Sequence, residues 1–423
     1  MPAVWRAVRV VVVLELALIA ALALTTAFRL HIYSPIDERA NVSYVAIAAD
    51  QGRLPVLGRD CVSAAVAAVD RSAIPGPCNA VPHASYEAFE PPLYYLLAVP
   101  VFDLGSSYRS RVILLRLLDC ALFFAAIALS ALFVRRAWPG ERSWLILAGV
   151  LLVYLWPDMI VRGVTVANTA LELPLAQLAL YAGWRAWHSP GGRWLVASGA
   201  LLGLCLLTKL TLVYLVPLFA VLVLARLRAR RDLRAVVVAS LLPLVLLAPW
   251  IAFNEIHYGA LTADARARAM QEPYLNPQHV ALTAADLPDR FVRLATILPQ
   301  EFSPASGSGG TLRGAFDLLF KIALIAAILL VAYAAARDRE MRGRLWLLAP
   351  LIAALLMLTA TLLLAGWDIF ITRYLDAALP WAAAATALAA VLVFPRRLLV
   401  PGLGVAFAGE TLIWAHYAAN YLI

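Results

Sequence analysis

The residues best placed to do chemistry are two adjacent carboxylates, Asp37 and Glu38, in the stretch Ser34-Pro-Ile-Asp-Glu-Arg-Ala-Asn-Val-Ser-Tyr44. They follow an apolar run, Val8 to Leu30, that exceeds the roughly 20 residues needed to cross a bilayer. An acid pair at the mouth of a membrane helix is where a hydroxyl can lose its proton beside a lipid-borne substrate. Lys209 and the segment Gly366-Trp-Asp-Ile-Phe-Ile-Thr-Arg-Tyr-Leu375 fall at comparable ends of later apolar runs. Ionisable groups near or within membrane spans are functional candidates, because burying them unpaired is costly. Each also has a plain structural reading: loop carboxylates after a span are common, Arg373 can snorkel to head groups, and Lys209 can anchor a hairpin.

The elements that must position these groups are membrane helices. Of 423 residues, 63% are hydrophobic and 14% charged, with a mean hydropathy of +0.82. Soluble domains have roughly 45–50% apolar and about 25% charged residues, so the composition predicts an all-α polytopic membrane protein. The formal charge of +9 does not indicate nucleic acid, since the basic residues are scattered between apolar runs rather than gathered in a stripe. Lys209 and Lys321 are the only lysines. That arginine preference, with the Ala/Leu/Val bias, points to a GC-rich bacterial genome and hence to the bacterial inner (plasma) membrane.

Orientation follows from the arginines in short loops, because cytoplasmic loops are enriched in Lys and Arg. With the N-terminus inside, residues 31–91 form a long outer loop, and Arg135 and Arg136 end the next span, 112–134, inside. Further spans are predicted at 143–160, 166–187, 194–207, 210–226, 234–253, 316–336, 344–364, 375–394 and 398–418, giving about 11 in all. Residues 254–315 form a second long outer loop, and Lys209 sits at the outer turn of the hairpin 194–226. Pro92 to Leu104 is apolar but too short to span, and reads as a helix in the outer interface. The whole chain, 1–423, reads as one transmembrane domain with its active face extracytoplasmic.

Cys61 and Cys78 share the first outer loop, where a disulfide and two free thiols are both open readings; Cys120 and Cys205 fall inside predicted spans. No Cys/His spacing suggests zinc. Glu15 lies within the first helix, where a helix–helix hydrogen bond is its expected role. Asp119 stands three residues after Arg116 on the same helix face and is expected to pair with it, and Glu172 is expected to neutralise an interior arginine. Glu87 and Glu90 lie beside the interfacial helix, and either could be a second acid of the site.

Several local sequences resemble one family, in family order. Ser34-Pro-Ile-Asp-Glu38 with Tyr44 and Asp50-Gln-Gly-Arg-Leu-Pro55 resembles the first-loop acidic motif of GT-C membrane glycosyltransferases, the superfamily of protein O-mannosyltransferases and aminoarabinose transferases. Ala88-Phe-Glu-Pro-Pro-Leu-Tyr-Tyr95 is similar to the segment that closes that loop, and Arg116-Leu-Leu118 opens the next span as in the family. Val166-Ala-Asn-Thr-Ala170, the glycine-rich Gly199 to Thr211 hairpin with Thr208-Lys209, Pro249-Trp-Ile-Ala-Phe-Asn254 with Tyr258-Gly259, and Thr372-Arg-Tyr-Leu375 with Pro380 complete the set. The chain departs from many relatives in carrying Asn41 where they have His, and Glu90 before Pro-Pro-Leu where they have Gln or another polar group.

The resemblance implies a GT-C-like fold, a polyprenyl-phosphate-linked sugar donor, a glycan, lipid or protein acceptor, and inversion at the anomeric carbon. It implies Asp37 as general base, while Glu38 either tunes its neighbour by like-charge proximity or binds the acceptor. Lys209, Arg373 and Arg116 are the expected phosphate clamp, with Tyr44, Glu90, Tyr94 and Tyr374 as further substrate contacts. No cofactor is expected, and a divalent metal is allowed but not indicated. Two other classes stand beside this one. A lipid-linked substrate transporter or flippase would also be polytopic, although the repeats and broken helix pairs of transporters are not evident. A non-catalytic GT-C-fold lipid-binding partner would share the fold but has less use for the acid pair.

Overall fold

The computed structural model describes residues 2–32, 37–63, 66, 78, 85–229, 232–275, 311–365 and 372–421. Ser34 to Ile36 of the acidic motif, Asp368 and most of the second outer loop therefore lie outside the described residues. Every regular element among the described residues is helical. In chain order these are α1 (Pro2–Arg29), α2 (Glu38–Gln51), a 3-10 turn (Tyr86–Phe89), α3 (Leu93–Asp103), α4 (Tyr108–Ala137), α5 (Arg142–Leu155), α6 (Pro157–Val164), α7 (Thr169–His188) and α8 (Arg193–Thr208). A second 3-10 turn (Leu210–Tyr214) precedes α9 (Leu215–Arg228), α10 (Leu233–Tyr258), α11 (Asp264–Leu275), α12 (Thr311–Arg337), α13 (Arg339–Arg344), α14 (Ala349–Ala365), α15 (Leu379–Val393) and α16 (Arg396–Tyr421). Two more 3-10 turns, Leu345–Leu348 and Thr372–Leu375, flank α14.

Six described helices are long and apolar enough to cross a membrane, or seven if one bent pair is counted as a span. The chain is a multi-pass membrane protein. The count of about 11 drawn from hydropathy includes helices that are shorter, such as Arg193–Thr208 and Leu379–Val393. It also includes a break: the predicted span 143–160 is two helices, α5 and α6, bent by 69°. The cause is local, because Trp156 precedes Pro157 and takes an extended ψ of 132°, as the proline ring disfavours helical backbone at the residue before it. Pro92 to Leu104 holds α3, whose 11 residues reach about half the length of a span.

The chain forms two compact units, Met1–Arg29 with Ile127–Val161 and Leu282–Ile423, and Leu30–Ala126 with Arg162–Ala281. In the first, α1 buries Val8, Val12, Ile19, Ala23 and Ala27 while Val10, Val13 and Leu14 stay exposed, the helical spacing of a one-sided contact. Here α1 packs on α5 and α16, and α5 on α15. The core is aromatic: Phe133 lies 4.0 Å from Trp381, and the Trp414 Nε1–H donates to the Leu155 carbonyl at 2.5 Å.

The second unit carries the acid pair. Its α8 packs between α7 and α10, and the glycines of the Thr-Lys hairpin make the α8–α10 approach possible. A Cβ at Gly199 would collide with the Ala239 carbonyl, and one at Gly203 would meet the Pro243 Cα at 3.0 Å, so small residues at this four-residue spacing bring the two backbones together. The outer loop is not featureless. Its α2 packs on α3 through Val42, Val45, Ala46, Tyr94, Tyr95, Ala98 and Phe102, and ends at Gly52 in the left-handed conformation, φ 61°. Beyond it, Arg53 grips Asp60 with two hydrogen bonds of 2.8 and 2.7 Å, and Cys61 and Cys78 form a disulfide with Cα atoms 4.5 Å apart.

Candidate active site

Asp37 caps the start of α2 with φ 70° and ψ −12°, left-handed values that aspartate tolerates better than most residues. Its carbonyl accepts from the Asn41 backbone N–H at 2.9 Å and from the Asn41 Nδ2 at 2.9 Å. Its carboxylate accepts from the Tyr86 hydroxyl at 2.6 Å. Asn41 is thus a bridge: its Oδ1 accepts from the Tyr95 hydroxyl at 2.7 Å. Tyr95 stacks on Tyr44 with centroids 3.7 Å apart, and the Tyr44 hydroxyl donates weakly to the Glu90 carbonyl at 3.5 Å. Burial, with the charge of Glu90 adding to it, pushes the Tyr44 phenol above its ordinary range, so it stays neutral.

Glu38 turns the other way, into the protein. Its two oxygens accept from Arg116 Nε and Nη2, both at 2.7 Å, and both side chains are 0% exposed. Arg116 also donates to the carbonyls of Leu30 at 2.7 Å and His31 at 3.2 Å. The guanidinium expected to hold phosphate is therefore largely engaged in tying the loop to α4. Asp119, expected to pair with Arg116 along one helix, accepts from the Tyr94 hydroxyl, both carboxylate oxygens lying 3.0 Å away.

Lys209 ends α8 with an extended backbone and is 4% exposed. Its ammonium donates to Thr169 Oγ1 at 2.8 Å and pairs with Glu172 at 2.9 Å. Glu172 thus neutralises this lysine rather than the arginine predicted from sequence. The segment Val166–Thr169 links acid and base: the Val166 N–H donates to Glu38 Oε1 at 3.3 Å, and Thr169, three residues on, receives the lysine. Asn168, between them, donates to the Thr208 carbonyl at 3.4 Å. Glu38 and Lys209, 171 positions apart in the chain, thus reach the two ends of one four-residue segment, while the Asp37 carboxylate meets Tyr86.

Glu87 and Glu90 are buried at 7% and 9% exposure. Arg373 and Tyr374 belong to the other unit, where Tyr374 is half-buried in the turn Thr372–Leu375, and the Arg373 side chain lies outside the described residues. Among the described residues no three His, Cys, Asp or Glu side chains cluster as metal ligands would. Residues 90–253 match the model of the dolichyl-phosphate-mannose-protein mannosyltransferase family.

The match spans 164 of the chain's 423 residues.

The matched segment contains Arg116, Val166–Thr169, Glu172 and Lys209, and begins at Glu90. Two solved structures of ArnT from Cupriavidus metallidurans also align with this chain, each covering 90% of it and 77% of the ArnT chain. The apo state aligns at 18% identity with a TM-score of 0.39, and the form bound to undecaprenyl phosphate at 16% with 0.40. No curated protein matches. Sequence reasoning did not single out Tyr86, Tyr95 or the Arg53–Asp60 pair. Tyr86 lies 49 residues from the carboxylate it contacts, and no local pattern marks that pairing.

Proposed function

We propose that this protein is a glycosyltransferase that moves a sugar from a polyprenyl-phosphate donor to a hydroxyl acceptor on the extracytoplasmic side of a bacterial inner membrane, with inversion. The observation that carries the reading is the meeting of Glu38, the chain neighbour of Asp37, and Lys209 on Val166–Thr169, a segment inside the match to the mannosyltransferase family. In this reading Asp37 takes the proton of the acceptor hydroxyl as its oxygen attacks the anomeric carbon. The bond from that carbon to the phosphate oxygen breaks, and polyprenyl phosphate leaves with one more negative charge. Lys209, held in place by Glu172 and Thr169, stabilises that charge in a water-poor setting, where electrostatic stabilisation is large. Glu38 and Arg116 brace the loop that presents Asp37. Arg373 and Tyr374 keep the phosphate-binding role that their sequence motif implies.

The test is transfer by purified protein in detergent or nanodiscs, supplied with polyprenyl-phosphate sugars and hydroxyl acceptors. Asp37→Asn, which tolerates the same left-handed backbone, is expected to lower the rate by about 10²–10⁴-fold without loss of fold. Parental transfer by this variant rules out Asp37 as the base. Movement of lipid-linked sugar across proteoliposomes without a new glycosidic bond favours a transporter instead.

A further inference from the structure

We infer that Tyr86 is a positioning residue for the reaction, a group that orients the Asp37 carboxylate; this rests on the proposed role of Asp37 as base. The backbone of Asp37 is restrained twice, by its left-handed turn and by two Asn41 donors on its carbonyl. Neither restraint acts on the carboxylate. The Tyr86 hydroxyl acts there directly, at 2.6 Å from Oδ1, the short distance of a hydrogen bond to a charged acceptor.

Tyr86 is itself anchored from behind. It opens a 3-10 turn whose preceding residue, Ser85, donates its N–H to the Asp60 carbonyl at 3.0 Å. The Asp60 side chain is gripped by Arg53 and by the Val56 N–H at 2.7 Å. The Cys61–Cys78 disulfide begins at the next residue. A line of bonded groups thus runs from Arg53 through Asp60 and Ser85 to Tyr86 and onto the carboxylate. A proton acceptor held to within a fraction of an ångström keeps its effective concentration toward the acceptor hydroxyl, and a loosely held one loses it.

The experiment is a double-mutant cycle in the transfer assay. Tyr86→Phe is expected to lower kcat about tenfold, the scale of one hydrogen bond to a charged group, with both KM values within about twofold of the parent and an unchanged thermal midpoint. Once the base is absent its orientation no longer matters, so Asp37→Asn/Tyr86→Phe is expected to match Asp37→Asn alone. As a second probe, 4-aminophenylalanine at position 86 keeps an N–H donor on the same ring and is expected to restore most of kcat. The inference is overturned if Tyr86→Phe keeps the parental kcat, if its tenfold loss multiplies onto Asp37→Asn, or if the 4-amino variant falls as far as Tyr86→Phe. A parental rate for Asp37→Asn overturns the base assignment itself, a result distinct from these.

Discussion

Charge is handled differently in the two compact units. Around the acid pair, ion pairs are buried: Glu38–Arg116 at 0% exposure on both sides and Glu172–Lys209 at 0% and 5%. Two pairs among the described residues of the other unit lie outside, Arg9–Glu141 at 49% and 42% exposure and Arg142–Glu340 at 48% and 37%. One buried carboxylate there is Glu15, enclosed in α1 with no hydrogen-bond partner for either oxygen among the described residues; the helix–helix hydrogen bond expected from sequence is absent among them. Taking two charges out of water costs several kcal/mol per ion, and only good geometry and extra hydrogen bonds offset it. One unit meets that cost with bidentate contacts and backbone donors. Such an interior is costly as pure scaffolding.

The contrast can be broken or sharpened by substitution. The largest effect is expected from Arg116→Met, which strands Glu38 without its charge partner and should cost about 3–5 kcal/mol in denaturant or thermal unfolding. Arg116→Met/Glu38→Leu should recover most of that loss. A single variant that unfolds like the parent would mean the buried pair contributes nothing distinctive.

A smaller effect is expected from Asp60→Asn. Burial raises the Asp60 carboxyl, but hydrogen bonds from Arg53 and Val56, with the charges of Arg53 and Arg59, outweigh it and hold the group below its ordinary value. A group depressed in the folded state stabilises fully above its unfolded value, about 3.9, and loses that contribution as pH falls through the lower folded value. The stability gap between parent and variant should therefore stay level from neutral pH down to about 5 and close below about 4. A gap that widens on acidification contradicts the bonding seen at this turn.

The smallest effect is expected from Arg9→Ala. Its exposed pair with Glu141 should be worth about 0–1 kcal/mol, and a larger loss would erase the distinction between the units.

Much of the architecture is legible along the chain, because hydropathy and loop charge are local sums. The first span, the short helix before Gly105 and the hairpin turn at Lys209 follow from residues adjacent in sequence. The break at Trp156–Pro157 was equally local, but an apolar count passes over it, since a proline changes backbone geometry without changing hydrophobicity. Partner choice is less accessible. The helix-face argument links Asp119 to Arg116, yet the pairing that fills the interior joins Arg116 to Glu38, 78 residues away, and Glu172 finds a lysine.

The sequence by itself determined that this is a membrane protein with an acid pair and a lysine at the ends of apolar helices, because residue type and spacing are sufficient for that. Only the tertiary structure decided which acid is spent on an arginine and which is presented by a tyrosine. Asp37 and Glu38 are neighbours of like chemistry, and a left-handed turn at the first sends their side chains to different partners. Those partners come from distant parts of the chain, which only folding brings within hydrogen-bond reach.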